Sequence, residues 1–192
     1  MMLSVATVAT VLFSLGASSL AQNGSKKAKT PPPKPDYGDF NLETKIGSFR
    51  MLEFNDDSMP EGHFEMSFTG TVLVDTSVAV KHPRGLQTTI QTEGNVKKEV
   101  DYHGREVFHG TGKIIVDGGW HALQWFGRDM SGKFFGSAVF RLNGEFDKNL
   151  ETGYYWYKDG KKNDWGTSGM QPTVPQAIFG VRNPTIKFSG KG

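Results

Sequence analysis

Hydrophobic and polar residues alternate along several stretches of the chain, and a period of two predicts β-strands. In the segment 63–75, HFEMSFTGTVLVD, the even-numbered positions are mainly apolar and the odd-numbered positions are mainly polar. One face of this half-buried strand is predicted to carry Phe64, Met66, Phe68, Val72 and Val74. Gly70 interrupts that face, which predicts a bulge or a close approach of another backbone.

The segment 134–146, FFGSAVFRLNGEF, repeats the alternation. Its predicted apolar face carries Phe134, Ala138, Phe140, Leu142 and Phe146. The pair Asn143-Gly144 often forms a two-residue hairpin turn. A turn there would move Phe146 to the polar face, because a shift of one residue exchanges the faces of a strand. We therefore predict one continuous strand with a kink at Gly144.

Three glycine-containing pairs predict turns: His103-Gly104, Gly118-Gly119 and Asp159-Gly160. The first sets Val100 opposite Val107. The second pairs the two segments that flank it and sets Val116 opposite His121. Further strands are predicted at 46–54, 86–92, 154–158 and 177–181, with another short segment at 185–188.

No segment after Phe40 shows the spacing of apolar residues that is typical of a helix. The 24 glycines and the 12% of aromatic residues also suit strands and tight turns. The predicted fold is all-β, with one antiparallel domain of about eight to ten strands. Two forms are expected for it, a jelly roll or sandwich and an open, folded-over sheet.

The N-terminus predicts export. Residues 1–21 carry no charged side chain and end in small residues, as a secretory signal peptide does. Ser19 and Ala21 suit a signal peptidase, so we place cleavage after Ala21; the alternative is an uncleaved membrane anchor. Residues 22–39 form a Lys/Pro-rich linker, and the all-β domain is predicted to span 40–192. The expected location is periplasmic or extracellular.

The charge of the chain is unevenly distributed. The formal net charge is +2, but residues 22–35 hold four of the 22 basic residues, Lys26, Lys27, Lys29 and Lys34, and no acidic residue. The 18 others face 20 acidic residues, a net charge of −2, so binding to nucleic acid is not expected. The chain has no cysteine, which excludes disulfides, thiol catalysis and a cysteine-linked lipid anchor.

One aromatic cluster lies at 118–129, GGWHALQWFGRD. Trp120 follows the predicted Gly118-Gly119 turn, where a ligand could reach a face of its ring. Trp120 is therefore a candidate ligand-binding residue. Trp125 and His121 are assigned to packing, because their predicted face is shared with apolar residues. The alternative is a core hairpin throughout.

A second aromatic cluster lies at 152–160, TGYYWYKDG. Alternation puts Tyr154 and Trp156 on one face and the two remaining tyrosines on the other. An exposed pair could stack on sugar rings or anchor a protein. The candidate ligand-binding residues here are Tyr155, Trp156 and Tyr157. Packing across strands is the alternative interpretation.

No catalytic or metal-binding motif is present. The chain lacks a G-x-S-x-G nucleophile elbow, an H-E-x-x-H motif and a glycine-rich phosphate loop. The five histidines have no spacing typical of metal ligands. Acidic residues could form a glycosidase pair only if the fold joined them; they are Glu53, Asp56, Asp57, Glu145 and Asp147. We therefore expect a protein that is not an enzyme and that needs no metal and no cofactor.

The segments MSFTGTVLV, FHGTGKIIVDGGW and RLNGEFDKNLETGYYW resemble the exported OstA-like domains of lipopolysaccharide-transport proteins in their rhythm of glycine, short strand and polar turn. The resemblance covers about the central two thirds of the domain and includes no diagnostic motif. It implies an open, folded-over sheet with an apolar slot that carries or bridges lipidic glycans. The aromatic content of residues 120–135 departs from that pattern and is also typical of a closed core.

These observations favour a non-enzymatic exported β domain that binds an envelope or extracellular ligand. Its expected partners are an envelope glycolipid, a polysaccharide or another envelope protein. An OstA-like carrier or bridge is the first alternative function. A carbohydrate-binding module that uses Trp156 and its neighbours is the second, and a hydrolase is the third.

Overall fold

The computed structural model describes residue 34 and residues 36–52, 59–77, 82–144, 153–165 and 171–176. These residues form eight β-strands and no helix, which confirms the all-β prediction. None of them belongs to a helix capable of spanning a membrane. The strands are β1 (Gly38–Leu52), β2 (Glu61–Asp75), β3 (Thr89–Val100), β4 (Glu106–Gly119), β5 (Ala122–Gly144), β6 (Gly153–Tyr157), β7 (Asn163–Asp164) and β8 (Thr173–Val174).

The strands form one sheet in the order β3-β4-β2-β5-β1-β6-β7, and β8 pairs with β5. β2 lies between β4 and β5, with Phe64 opposite Val116 on one side and opposite Phe134 on the other. The predicted hairpin at Gly118-Gly119, which set Val116 opposite His121, is therefore wrong. β4 and β5 both pair along the full length of β2. Residues 120–121 therefore connect two strands that are not paired with each other.

Two consecutive residues show how far the sheet curls. The backbone N–H of Trp120 donates to Pro60 O at 3.1 Å, and that of His121 donates to Asp75 O at 3.0 Å. Pro60 precedes β2 and Asp75 ends it, 15 residues later. A straight strand of that length would span about 50 Å. β2 must therefore bend strongly to bring both of its ends to one connection.

Rows of glycine mark where the bending is possible. Gly70 pairs with Gly110 on one side and with Gly127 on the other, and Gly127 pairs with Gly47. Gly70 has a φ of +139°, and a Cβ there would lie 2.8 Å from Gly127 Cα. This confirms the close approach predicted at Gly70, since only glycine tolerates both conditions. A second row crosses the same strands at Gly118, Gly62, Gly136 and Gly38.

β5 flanks β1 on both sides. Residues 47–51 of β1 pair with residues 123–127 of β5 and also with residues 140–144. The paired residue numbers run in opposite directions in both ladders, as antiparallel pairing requires. β5 continues without a turn through Asn143 and Gly144. Phe146 lies outside the described residues, so its predicted place on the apolar face of this strand stays a prediction.

The predicted apolar faces form the core. On β2, Phe64, Met66, Phe68, Val72 and Val74 are all buried, as are Phe134, Ala138, Phe140 and Leu142 on β5. Rings fill the space between the curled parts of the sheet, with Phe40 and Phe140 at a centroid distance of 4.6 Å. Phe49 contacts Phe64 at 5.6 Å and Trp125 at 5.9 Å. Alternation therefore assigned these side chains to the correct face.

Both remaining predicted hairpins are present. β6 and β7 pair across the Asp159-Gly160 turn, with Tyr154 opposite Asp164. β3 and β4 pair across His103-Gly104, but Val100 lies opposite Glu106 and not opposite Val107. The register differs because Asp101 lengthens the turn: its carboxylate accepts hydrogen bonds from the backbone N–H groups of His103 and Arg105.

Several predictions fall outside the described residues. They are the signal peptide at 1–21, nearly all of the linker at 22–39, and the strands at 177–181 and 185–188. The predicted start of the domain at Phe40 is close to the first residue of β1, Gly38.

Candidate functional site

A cavity of about 460 Å³ lies between the 82–88 loop and the ends of β3 and β4. Its wall combines apolar, hydroxyl, amide and charged side chains. Its lining residues include Met59, Ser77, Leu86, Gln87, Ile90 and Trp120.

Trp120 is the only one of the four predicted ligand-binding residues on the wall of this cavity. Its side chain is 2% exposed, and its ring packs edge-on against Phe134 at a centroid distance of 6.3 Å. The Nε1–H group is buried and has no hydrogen-bond partner among the described residues. The expectation of a ring face open to solvent was wrong for Trp120, since the residue is almost completely buried.

The 82–88 loop explains why Trp120 is covered. Thr88 Oγ1 donates a short hydrogen bond to Gly119 O, directly before Trp120. His82 packs on the same glycine so closely that a Cβ at Gly119 would lie 2.8 Å from His82 Cγ. The predicted turn at Gly118-Gly119 is therefore not a solvent-facing tip, because the loop lies over it.

A buried ionic cluster holds this loop in place. The carboxylate of Glu61, whose side chain is 3% exposed, forms an ion pair with Arg84 through Nη2 and accepts a hydrogen bond from Arg84 Nε at 2.9 Å. Arg84 Nη2 also contacts Tyr37 Oη at 3.4 Å. Glu61 begins β2 and Arg84 belongs to the loop, so the cluster ties the loop to the sheet.

The protonation of Glu61 follows from its partners. Burial by itself would raise the pKa of Glu61, but hydrogen bonds from His82, Arg84 and Tyr37, together with the charge of Arg84, hold that pKa below its ordinary value of 4.5. The same contacts raise the pKa of Arg84, chiefly through its hydrogen bonds to Glu61. The cluster is therefore a carboxylate-guanidinium pair at neutral pH.

His82 lies against the same carboxylate. Its Nδ1 accepts a hydrogen bond from the backbone N–H of Arg84 at 3.3 Å, so the ring proton lies on Nε2 in the neutral form. That Nε2 lies 3.2 Å from Glu61 Oε2, although the two atoms do not have the full geometry of a hydrogen bond. A general base needs a free acceptor nitrogen, and Nδ1 of His82 is already occupied by the Arg84 N–H.

Among the described residues, the lysine and the carboxylate on the cavity wall are paired with each other. Lys98 and Glu106 both line the cavity, and Lys98 Nζ lies 2.7 Å from Glu106 Oε1. This pair is partly exposed at the rim, where the two side chains are 53% and 25% exposed. The described part of the cavity wall therefore carries no unpaired lysine, arginine or carboxylate that would select a charged ligand.

The three candidate residues on β6 lie elsewhere. Tyr155 and Tyr157 face the core and contact Phe40 at centroid distances of 5.8 and 5.3 Å. Tyr157 Oη donates to Thr173 O at 2.9 Å, and burial, with a smaller contribution from Tyr155, raises the pKa of Tyr157 to about 12. Trp156 faces the opposite side, where Lys162 Nζ lies 4.7 Å from the centre of its ring.

Sequence reasoning missed Glu61, His82 and Arg84. Glu61 precedes the alternating segment and has the same parity as the outward-facing His63 and Glu65, so alternation points it to solvent. Glu61 is buried all the same, because His82 and Arg84 of the 82–88 loop lie against its carboxylate. The only signal in the sequence was a carboxylate directly before a glycine, and this pair is too common to identify a functional residue.

No three His, Asp or Glu side chains within the described ranges form a group that could hold a metal ion. The acidic residues considered for a glycosidase pair, at 53, 56, 57, 145 and 147, lie outside those ranges. No protein-family model, no curated protein and no solved structure matches the chain.

Proposed function

We propose that the chain is an exported, non-enzymatic β domain that binds an envelope or extracellular ligand in the cavity beside Trp120. The observation that supports this is a cavity of about 460 Å³ whose wall includes Trp120 and combines apolar with polar side chains. Binding sites for small molecules commonly have volumes of about 300 to 1,000 Å³.

The chemistry of the ionic cluster supports binding without catalysis. The Nδ1 of His82 already accepts a hydrogen bond from Arg84, and Glu61 is paired with Arg84. An enzyme that used this cluster would need a free base close to a nucleophile. The cluster instead fits the task of holding the 82–88 loop over the cavity.

Two alternatives use other surfaces. The double pairing of β1 with β5 favours a folded-over sheet over a sandwich or jelly roll. Such a sheet would suit an OstA-like carrier. A carrier needs an apolar slot, however, and Phe49, Phe64 and Trp125 occupy the described interior. A carbohydrate-binding module would use the outward-facing Trp156, whose ring already has Lys162 beside it. The cavity beside Trp120 is therefore the favoured site.

Export remains part of the proposal, and it rests on residues 1–21 alone. N-terminal sequencing of the protein from the periplasm or the medium is expected to begin at Gln22. Recovery of the full-length chain from the cytosol alone would contradict export and leave the binding proposal in place.

The binding test compares two tryptophans. Trp120→Phe keeps an aromatic ring but changes the wall of the cavity, and it is expected to weaken binding to isolated envelope polysaccharide or glycolipid. Trp125→Phe is the matched control, because Trp125 also has a buried Nε1–H without a partner but does not line the cavity. Equal affinities for both variants and the original chain would overturn the assignment of the site.

A further inference from the structure

We infer that two copies of the chain associate through β3, whose outer edges pair antiparallel about a two-fold axis at Asn95. The pairing joins the two sheets into one continuous sheet, as the addition of a β-strand to a sheet edge does in other complexes. This inference concerns the edge of the sheet and does not depend on any ligand of the cavity beside Trp120.

The outer edge of β3 can accept another strand. β3 pairs with β4 from Thr89 to Val100, and no other described strand pairs with it. All residues of β3 except Ile90 and Val96 are exposed. Alternate backbone N–H and C=O groups of an edge strand point away from its single neighbour, where they can pair with another chain. A second copy presents the same edge, so the contact can be symmetric.

The two faces of β3 limit the registers that such a pair can adopt. The even-numbered residues Ile90 and Val96 pack against the core, whereas the odd-numbered Glu93 and Lys97 are exposed on the opposite face. Side chains of one face stay on one face of a continuous sheet, so even-numbered residues must lie opposite even-numbered residues. A two-fold axis then sets one residue of β3 opposite itself.

Charge selects the register that is centred on Asn95. In it, Glu93 lies opposite Lys97 of the second copy, and the symmetry forms this pair twice. A register centred on Val96 would set Glu93 opposite Glu99, and one centred on Lys97 would set two lysines opposite each other. Opposite charges across paired strands stabilise a sheet and like charges destabilise it.

Apolar side chains match in the same register. Ile90 lies opposite Val100 of the second copy, and Val100 is 63% exposed in the single chain. The contact would therefore remove apolar surface from water at both ends of the paired strands. A register centred on Gly94 would instead set Ile90 opposite Lys98 and would lose both Glu93–Lys97 pairs.

The charged groups that form the new pairs have other kinds of neighbour within their own chain. Glu93 lies opposite Lys113 on β4, but the Nζ of Lys113 lies 2.8 Å from Glu65 Oε1. Lys97 lies opposite His109. Lysines on an edge strand usually prevent association of edges. Here Glu93 supplies a carboxylate for Lys97 in one register only, so the charges permit that register and oppose its neighbours.

Sedimentation velocity of the full chain tests the association. A contact between two edge strands is small, so a dimer is expected at about 100 μM that dissociates on dilution. Lys97→Glu sets carboxylates opposite each other twice and should raise the dissociation constant about tenfold. Glu93→Lys should do the same, and the variant that combines both substitutions should regain the original affinity. Lys161→Glu, at an exposed lysine outside β3, is the control with the same change of charge.

Cysteine cross-linking tests the register, because the chain has no cysteine of its own. Directly opposite side chains of an antiparallel pair have Cβ atoms about 5 Å apart, near the distance that a disulfide spans. Asn95→Cys should therefore form a disulfide-linked dimer under mild oxidation. Gln91→Cys is the matched control on the same face. Residue 91 pairs with residue 99, so its two copies lie about 26 Å apart along the strands.

Three results would overturn the inference. The first is a full chain that stays monomeric at about 100 μM, where a weak dimer of this kind should form. The second is association that Lys97→Glu weakens no more than Lys161→Glu does, because another surface would then be responsible. The third is oxidation that links Gln91→Cys as readily as Asn95→Cys, which would contradict the register.

Discussion

Trp120 and Trp125 occupy two regions of the molecule that share one property and differ in another. Both side chains are buried, at 2% and 0% exposure, and both Nε1–H groups lack a partner among the described residues. Trp125 stacks on Phe49 with an interplanar angle of 27° inside the aromatic core. Trp120 contacts Phe134 on one side and borders a cavity on another.

Burial alone therefore does not separate a packing residue from a binding residue. No ligand can reach Trp125, because packed rings surround it. Trp120 lies on the wall of a cavity, so a ligand in that cavity can contact this residue. The empty space next to the ring is what distinguishes the two sites.

The largest effect is expected from truncating the two rings. Trp125→Ala should lower the free energy of unfolding by about 4 kcal/mol, because it leaves a void among packed rings. Trp120→Ala should cost less, since residues beside the cavity can relax into the space left by the ring more readily than tightly packed core residues can. Urea denaturation of both variants provides the measurement. Equal costs would show that the cavity end is packed as tightly as the core and would remove the distinction.

An intermediate effect is expected at the ionic cluster. Glu61→Gln should lower the free energy of unfolding by about 2 kcal/mol at pH 7, because Arg84 loses its partner in a largely buried position. The surface pair Glu65–Lys113 supplies the control. Glu65→Gln should change stability by no more than about 0.5 kcal/mol. Hydrogen exchange should increase in the 82–88 loop of Glu61→Gln and not in the core strands.

The pH dependence of this effect has a definite sign. The pKa of Glu61 in the folded chain lies below 4.5, its ordinary value, so the ionised form favours the folded state. Its contribution is fully present above that ordinary pKa and is lost as the pH falls through the lowered pKa. The original chain should therefore lose this stability in acid, whereas Glu61→Gln should not. If the free energy of unfolding falls equally in acid for both proteins, the proposed role of the cluster is contradicted.

The smallest effect is expected on the core side of β6. Tyr157→Phe removes the hydrogen bond to Thr173 O and should cost about 1 kcal/mol. The pKa of Tyr157 is raised from 10.0 to about 12, so its neutral form stabilises the fold below pH 10 and this contribution is lost as the pH rises through 12. In Tyr157→Phe, the free energy of unfolding should therefore fall less as the pH rises through 12. Tyr102, which is 90% exposed, provides the control, because Tyr102→Phe should leave the profile unchanged.

The faces of the strands could be predicted from the sequence, and the chemistry of the site could not. Alternation assigned Phe64 and Phe140 to the interior because neighbouring side chains of a strand point to opposite sides wherever the strand lies. The same rule pointed Glu61 to solvent and failed, because the 82–88 loop, which is distant in sequence, covers its side chain. Trp120 was recognised as a candidate, but its access was misjudged because the loop that covers it is distant in sequence.

The sequence by itself determined the all-β class, the inward faces of β2 and β5, and the close approach at Gly70, since each depends on residues within a few positions of one another. Only the tertiary structure decided that β2 separates β4 from β5, that its two ends meet at Trp120 and His121, and that Glu61 pairs with Arg84. Those outcomes depend on which strands pair, and pairing is selected by the packing of the whole sheet. The cavity beside Trp120 is therefore a product of topology and not of any local motif.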